Sequence, residues 1–231
     1  MSDAVKPKRR YESRRRQEQA AVTRSDILAA AGRLFRERGY TSTSMPSIAS
    51  EAGVVVETVY RAFGSKAGLF RKVIEAVLAG GAQRAEVPVE ARPAIRALID
   101  EPDPRRQVDL YAATQPGIHR RSGPLLRALV AAAPTDPDLA ALWREMEDWR
   151  HAGQSRFVGM LAEQGKLRAD VSVEEASDVT WTLCSLATHD MLIVQRGWPV
   201  ERYQAWLSAA LARELMDSAS DAAWSRPPRK E

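Results

Sequence analysis

Apolar residues in this chain recur every three to four positions almost throughout, and nowhere do they alternate convincingly with period two. That rhythm predicts helices and argues against sheets. Ile27, Leu28, Ala31, Leu34 and Phe35 make a first stripe that Gly39 should stop. Ser44 is placed to cap a short second helix, with Pro46 in its first turn and Ile48, Ala49 and Ala52 facing inward. Gly53 breaks that helix, and a third carries Val59 and Phe63 on its buried side. Ser65 then caps a fourth, striped by Leu69, Phe70, Val73, Ile74, Val77 and Leu78. Beyond a proline-rich connection, helices are expected near Arg105–Gln115 and Pro124–Ala132, and a long one after Asp136. Ser172 and Glu175 form a capping-box pattern at the head of a helix running to about Arg196. Gly197 and Pro199 separate that helix from a last one ending near Asp217. The expectation is an all-α fold.

Charge is concentrated at one end. Residues 1–24 hold eight Lys or Arg and three acids, whereas the whole chain of 231 residues carries only +4. A basic arm ahead of a near-neutral body suits a polyanionic partner, or is simply a solvated tail. Cys184 is the one cysteine, which excludes an intrachain disulfide and suits a reducing compartment. No run of about 18–20 apolar residues predicts a membrane span, and the basic N-terminus lacks the apolar core of a signal peptide. The expected location is the cytoplasm, with no membrane partner.

Residues Met45–Phe63 carry the functional signal. A short helix, a turn at Gly53 and a second short helix answer the needs of a helix-turn-helix. Ala49 is small where two helices cross, Gly53 supplies the turn, and Val54 plugs it. In that motif the second helix lies in the major groove. Thr43 and Ser44 stand where hydroxyls and unpaired N–H groups meet phosphate. Val56 opens the reading helix and can touch a thymine methyl. Glu57 either accepts from cytosine or sits as a favourable acid near a helix N-terminus. Arg61 is the candidate for guanine, with phosphate as the alternative.

The run "ILAAAGRLFRERGYTSTSMPSIASEAGVVVETVYRAFGSKAGLFRKVIE", Ile27–Glu75, resembles the DNA-binding domain of the TetR (tetracycline-repressor-like) transcriptional regulators. The later run from Leu167 to Leu211 resembles the dimerising end of many actinobacterial members. The resemblance implies an all-helical homodimer of about nine helices per chain, with an N-terminal DNA-binding domain and a C-terminal domain that senses a small molecule. The expected division is a basic disordered arm (1–19), a three-helix helix-turn-helix domain (20–66), a regulatory and dimerisation domain (67–217) and a disordered tail (218–231). Thr58 and Tyr60 match the family's Thr and Tyr, Tyr60 as a phosphate contact, and Lys66 matches its phosphate-binding lysine. Position 55, usually a small polar cap, is Val55, so the reading helix should lose about 1 kcal/mol of capping.

The last two helices are expected to form a four-helix dimer interface, with Leu183, Leu186, Met191, Tyr203, Trp206, Leu207 and Leu211 as its apolar contacts. Tyr111, Gln115, His119 and Trp149 are the candidate ligand-lining residues, aromatic groups beside a few polar ones. Trp143 and Trp149 cannot share a helix face. The three histidines are not at metal-ligand spacing, and no catalytic constellation is visible, so no metal, cofactor or enzymatic activity is expected. The sequence thus predicts a homodimeric regulator that binds a pseudo-palindromic operator in double-stranded DNA, most simply a repressor released by a small molecule. The alternative is a DNA-binding regulator without a small-molecule effector.

Overall fold

The structure is a computed structural model that describes residues 7–81 and 87–217. The expected tail at 218–231 lies outside the described residues. Among the described residues there are ten α-helices: α1 (Pro7–Arg38), α2 (Met45–Glu51), α3 (Val56–Phe63), α4 (Lys66–Ala79), α5 (Pro93–Asp100), α6 (Pro104–Ala132), α7 (Pro137–Glu163), α8 (Val173–Leu183), α9 (Leu186–His189) and α10 (Val200–Leu215). Among the described residues there is no strand. No described helix is long and apolar enough to cross a membrane. The chain divides into two compact units, residues 1–86 with 124–142, and residues 87–123 with 143–231.

In the first unit, α1 packs on α4 and α2, and α2 packs on α3. The core is Ile27, Ala30, Ala31, Leu34 and Phe35 of α1, Met45, Ile48 and Ala49 of α2, Val59 of α3, and Leu69, Phe70, Val73 and Ile74 of α4. Phe35, Tyr40 and Phe70 form an aromatic triad with centroid separations of 4.7, 5.0 and 5.8 Å. The basic segment expected as an arm is helical from Pro7 and continuous with α1.

Local chemistry explains the helix ends. Ser44 and Ser47 exchange side-chain and backbone bonds in a capping box, with Pro46 in the first turn of α2. That helix ends in a Schellman motif: Val54 N–H donates to the Ala49 carbonyl and Gly53 N–H to the Ser50 carbonyl. Gly53 has φ +66°, which a side chain disfavours, so the turn requires glycine. Ser65 caps α4 through Gly68 N–H at 3.0 Å.

The helices beyond α5 depart from the sequence reading in two places. The helices expected near 105–115 and 124–132 are one helix, α6, which runs through Pro116 and Pro124. Each proline withholds one N–H from the carbonyl four residues earlier, yet neither ends the helix. The helix expected from 173 to 196 is instead broken. α8 stops at Leu183, and Ser185 adopts extended backbone and caps α9 through Thr188 N–H at 3.1 Å. A π-helical turn, Asp190–Gln195, follows before Gly197 reverses the chain.

Candidate functional site

Helix α3 is anchored by one residue. Val59 is fully buried, while Glu57, Tyr60 and Arg61 point outward and Val56 and Thr58 are half-buried. Residues 57, 60 and 61 share one face at helical spacing, and Tyr60 is 49% exposed. Arg61 Nη2 lies 3.4 Å from Thr58 Oγ1, so its guanidinium stays near the helix surface. The far end of α3 is clamped from α1. Arg24 donates to the Ala62 carbonyl at 2.7 Å, and its guanidinium lies over the Phe63 ring at 4.3 Å. Gly68 makes the α3–α4 junction possible, because a Cβ there would lie 2.5 Å from the Phe63 carbonyl oxygen. Neither Arg24 nor Gly68 was singled out from sequence. A Gly three residues after a capping Ser was the visible trace of the second.

The start of α3 bears out the expected missing cap. Val55 is extended, makes no side-chain cap bond and is 65% exposed. Val55→Ser should therefore stabilise the protein by about 1 kcal/mol. Urea unfolding of the two proteins checks this, and an unchanged midpoint would count against it.

One expected phosphate contact needs correction. Thr43 is buried, and its hydroxyl sits 2.8 Å from the Gly39 carbonyl and 3.2 Å from that of Leu34. Its backbone N–H goes to Tyr40. Thr43 closes the α1–α2 loop, and the hydroxyl is not presented to a polyanion. Ser44 is exposed, but the Ser47 N–H is spent on its Oγ and Pro46 has none, so few unpaired amides remain there.

Lys66 is held against the loop between α1 and α2. Its Nζ lies 4.1 Å above the Tyr40 ring and 3.5 Å from the Thr41 carbonyl. Burial pulls its pKa below the ordinary lysine value, and Asp136 partly opposes this. Burial, with Asp136 and Asp138 adding to it, pushes the Tyr40 hydroxyl up to about 12.

In the second unit the structure gathers three of the four candidate ligand residues. Tyr111, Gln115 and His119 follow at i, i+4 and i+8 on α6, and Gln115 and His119 are buried. Trp149 does not join them: it is 49% exposed on α7. The break at Ser185 has a direct consequence here. Thr188 N–H, the α-helical partner of the Cys184 carbonyl, is taken by Ser185 Oγ, and His119 Nε2 meets that carbonyl at 3.1 Å. Burial, and then the neighbouring His189, lower the His119 pKa to about 4. Burial pushes the Cys184 thiol up to about 12 and raises the Tyr111 and Tyr203 hydroxyls well above the usual tyrosine range.

The expected interface residues divide. Tyr203, Leu207 and Leu211 are fully buried and belong to the chain's own core with Phe157, Leu161 and Cys184. A stripe read as facing a second subunit is therefore intrachain packing. Leu183, Leu186 and Trp206 are half-buried, and Met191 is 50% exposed.

Residues 27–73 match the family model described as "Bacterial regulatory proteins, tetR family". The HTH-type transcriptional repressor BepR of Brucella suis is 25% identical over 196 residues, 80% of this chain and 88% of that protein. Among solved structures, native NalD of Pseudomonas aeruginosa, the secondary repressor of the MexAB-OprM multidrug efflux pump, superposes with TM-score 0.65 at 23% identity. It spans 86% of this chain and 99% of its own. A transcriptional regulator from Saccharomonospora viridis in complex with choline gives 0.64 at 20% identity, over 85% and 99%. At these identities the structural likeness speaks for the fold alone.

Proposed function

We infer that this chain, a member of the TetR family of helix-turn-helix transcriptional regulators, is a homodimeric repressor that a small molecule releases from its operator. The observation that carries the DNA-binding half is the open outer face of α3: Glu57, Tyr60 and Arg61 exposed, opposite the buried Val59. In the major groove that face presents Arg61 to guanine and Glu57 to cytosine, with Val56 at a thymine methyl. Ser44, Thr58, Tyr60 and Lys66 hold the flanking phosphates. A symmetric dimer sets two such helices about 34–36 Å apart, one turn of DNA. A ligand that favours another separation lowers operator affinity, typically by 5–150-fold, or about 1–3 kcal/mol of coupling.

Selection of bound DNA from a random pool, repeated at two salt concentrations, tests the reading. Tyr60→Phe and Lys66→Gln should each weaken binding to all sequences, and Lys66→Gln, which removes a charge, should also reduce the salt slope by about one. Arg61→Ala should relax preference at one base position, at a cost of about 1–3 kcal/mol. Uniform loss on every sequence for Arg61→Ala would move it to the phosphates.

Dimerisation is supported by the apolar surface that remains once the α10 stripe is assigned to the core. Met191, Val194 and Val200 are 50%, 64% and 47% exposed, beside half-buried Leu186 and Trp206. Met191→Asp combined with Val194→Asp should convert the dimer to monomer in analytical ultracentrifugation. A dimer that persists would place the interface elsewhere. The ligand-released form is favoured over an effector-free regulator by buried polar atoms of the second unit that lack partners: His119 Nδ1, Gln154 Oε1 and the Tyr203 hydroxyl.

A further inference from the structure

Those unpartnered atoms are specific enough to name a ligand class. His119, Gln154 and Tyr203 retain only 4%, 3% and 0% of their exposure, so each orphaned atom costs free energy unless something meets it. They cluster around a shared neighbourhood. His119 Nε2 lies on the Cys184 carbonyl. The His119 and Tyr203 rings flank His189 at 4.9 and 5.4 Å. The Gln154 amide bonds the Tyr111 hydroxyl, whose ring stacks on Phe157 at 4.1 Å. Cys184 and Tyr203 lie in one core cluster, and Tyr111 packs against it.

The donor and acceptor roles follow. A carbonyl only accepts, so His119 Nε2 carries the proton. Burial keeps the ring neutral at ordinary pH, which leaves Nδ1 as a bare acceptor. Gln154 Oε1 is a second acceptor. The Tyr203 hydroxyl can donate or accept. A partner must therefore bring a donor and is helped by an acceptor on the same group, which describes a hydroxyl. Charge is unwelcome on either sign. The nearby cation Arg150 is bound to Glu147 at 2.5 and 3.2 Å and to the Trp181 carbonyl at 2.6 Å. The Asp190 carboxylate is engaged with His189 at 3.0 Å. A carboxylate ligand would set lone pairs against Nδ1 and Oε1, with Arg150 already engaged elsewhere. Ring-rich surroundings favour a flat aromatic body.

We propose that the interior of the second unit binds an uncharged aromatic molecule bearing a hydroxyl group, which His119 Nδ1, Gln154 Oε1 and the Tyr203 hydroxyl recognise. The proposal rests on the ligand-responsive reading above and gives that site its chemistry. Ordered water is the competing occupant, since it also supplies donors.

Calorimetric titration of the purified full chain near pH 7.5 decides. The probes are 4-ethylphenol, its methyl ether 4-ethylanisole, and 4-ethylbenzoate as the anion. The phenol should bind at least about tenfold more tightly than either analogue, the difference one satisfied buried group makes. Tyr203→Phe and Gln154→Leu should each cut phenol affinity by about fivefold or more while leaving the weak anisole binding unchanged. Tyr203→Phe keeps the core ring and removes only an unpartnered hydroxyl, so it remains informative if Gln154→Leu misfolds. Equal affinity for phenol and ether, no heat with phenol, or indifference of both variants would overturn the class and leave water as the occupant, and tighter binding of benzoate would overturn it in favour of an anion. Operator binding followed in parallel keeps the two ideas apart. Release by a charged compound but not by the phenol sinks the class and keeps the ligand-responsive reading. Phenol binding without release does the reverse.

Discussion

Phe70→Ala is expected to lower the unfolding free energy by about 3–5 kcal/mol, because the ring is fully buried and its removal leaves a cavity. Phe70 meets Phe35 edge-on at 4.7 Å and tilts against Tyr40 at 5.0 Å, so two aromatic contacts vanish with it. Against a typical total of about 5–15 kcal/mol, that loss is a large share. The damage extends to function through Tyr40, whose ring carries the Lys66 ammonium. Operator affinity should fall along with stability. Phe70→Leu, which keeps most of the volume, should cost less than about 1.5 kcal/mol and retain binding. Urea unfolding beside fluorescence anisotropy on operator DNA reads both. A cost under about 1 kcal/mol for Phe70→Ala would show that the triad does not hold this unit together.

The second large effect is a pH dependence of stability centred on His119. Its folded pKa is depressed to about 4, whereas an exposed histidine titrates near 6.5. Between those values the unfolded chain binds a proton that the folded chain refuses, so stability rises with pH across the window. The contribution is complete above about pH 6.5 and is lost progressively as pH falls towards 4, by about 3 kcal/mol. His189, Asp190 and Arg150 face the same ring. The difference between wild type and His119→Gln isolates the one residue. The expected result is a steep decline from pH 7 to 4 in wild type and a shallower one in the variant. Parallel curves would mean that His119 is solvated or charged in the folded protein.

The helix-turn-helix was legible because its signals are local. Ser44, Gly53 and Ser65 act within four residues of themselves, through caps and a glycine turn, and the structure uses each as expected. Val55 failing to cap was equally readable. What sequence left hidden depends on distant partners. Pro116 and Pro124 read as helix boundaries, yet α6 runs through both despite the N–H groups they withhold. The Tyr203, Leu207 and Leu211 stripe announces burial without naming what buries it, and its own chain does so. Thr43 reads as a hydroxyl near a helix start, but the loop turns it inward onto Gly39 and Leu34. Of the ligand candidates, Tyr111, Gln115 and His119 were chosen as aromatic groups beside polar ones, and all three lie on one helix at four-residue spacing. Gln154 and the Tyr203 hydroxyl were not among them, because an unpartnered atom appears only once its surroundings are known.

The central claim is that the outer face of α3 enters the major groove. Guanine N7 methylation protection by the full chain over its selected operator tests this most directly, since N7 lies in that groove. Two clusters of protected guanines centred about one helical turn apart are expected, with one protection per half-site lost in Arg61→Ala. Protection that is absent, or that persists unchanged when Glu57, Tyr60 and Arg61 are all replaced by alanine in a protein that still binds, would contradict it.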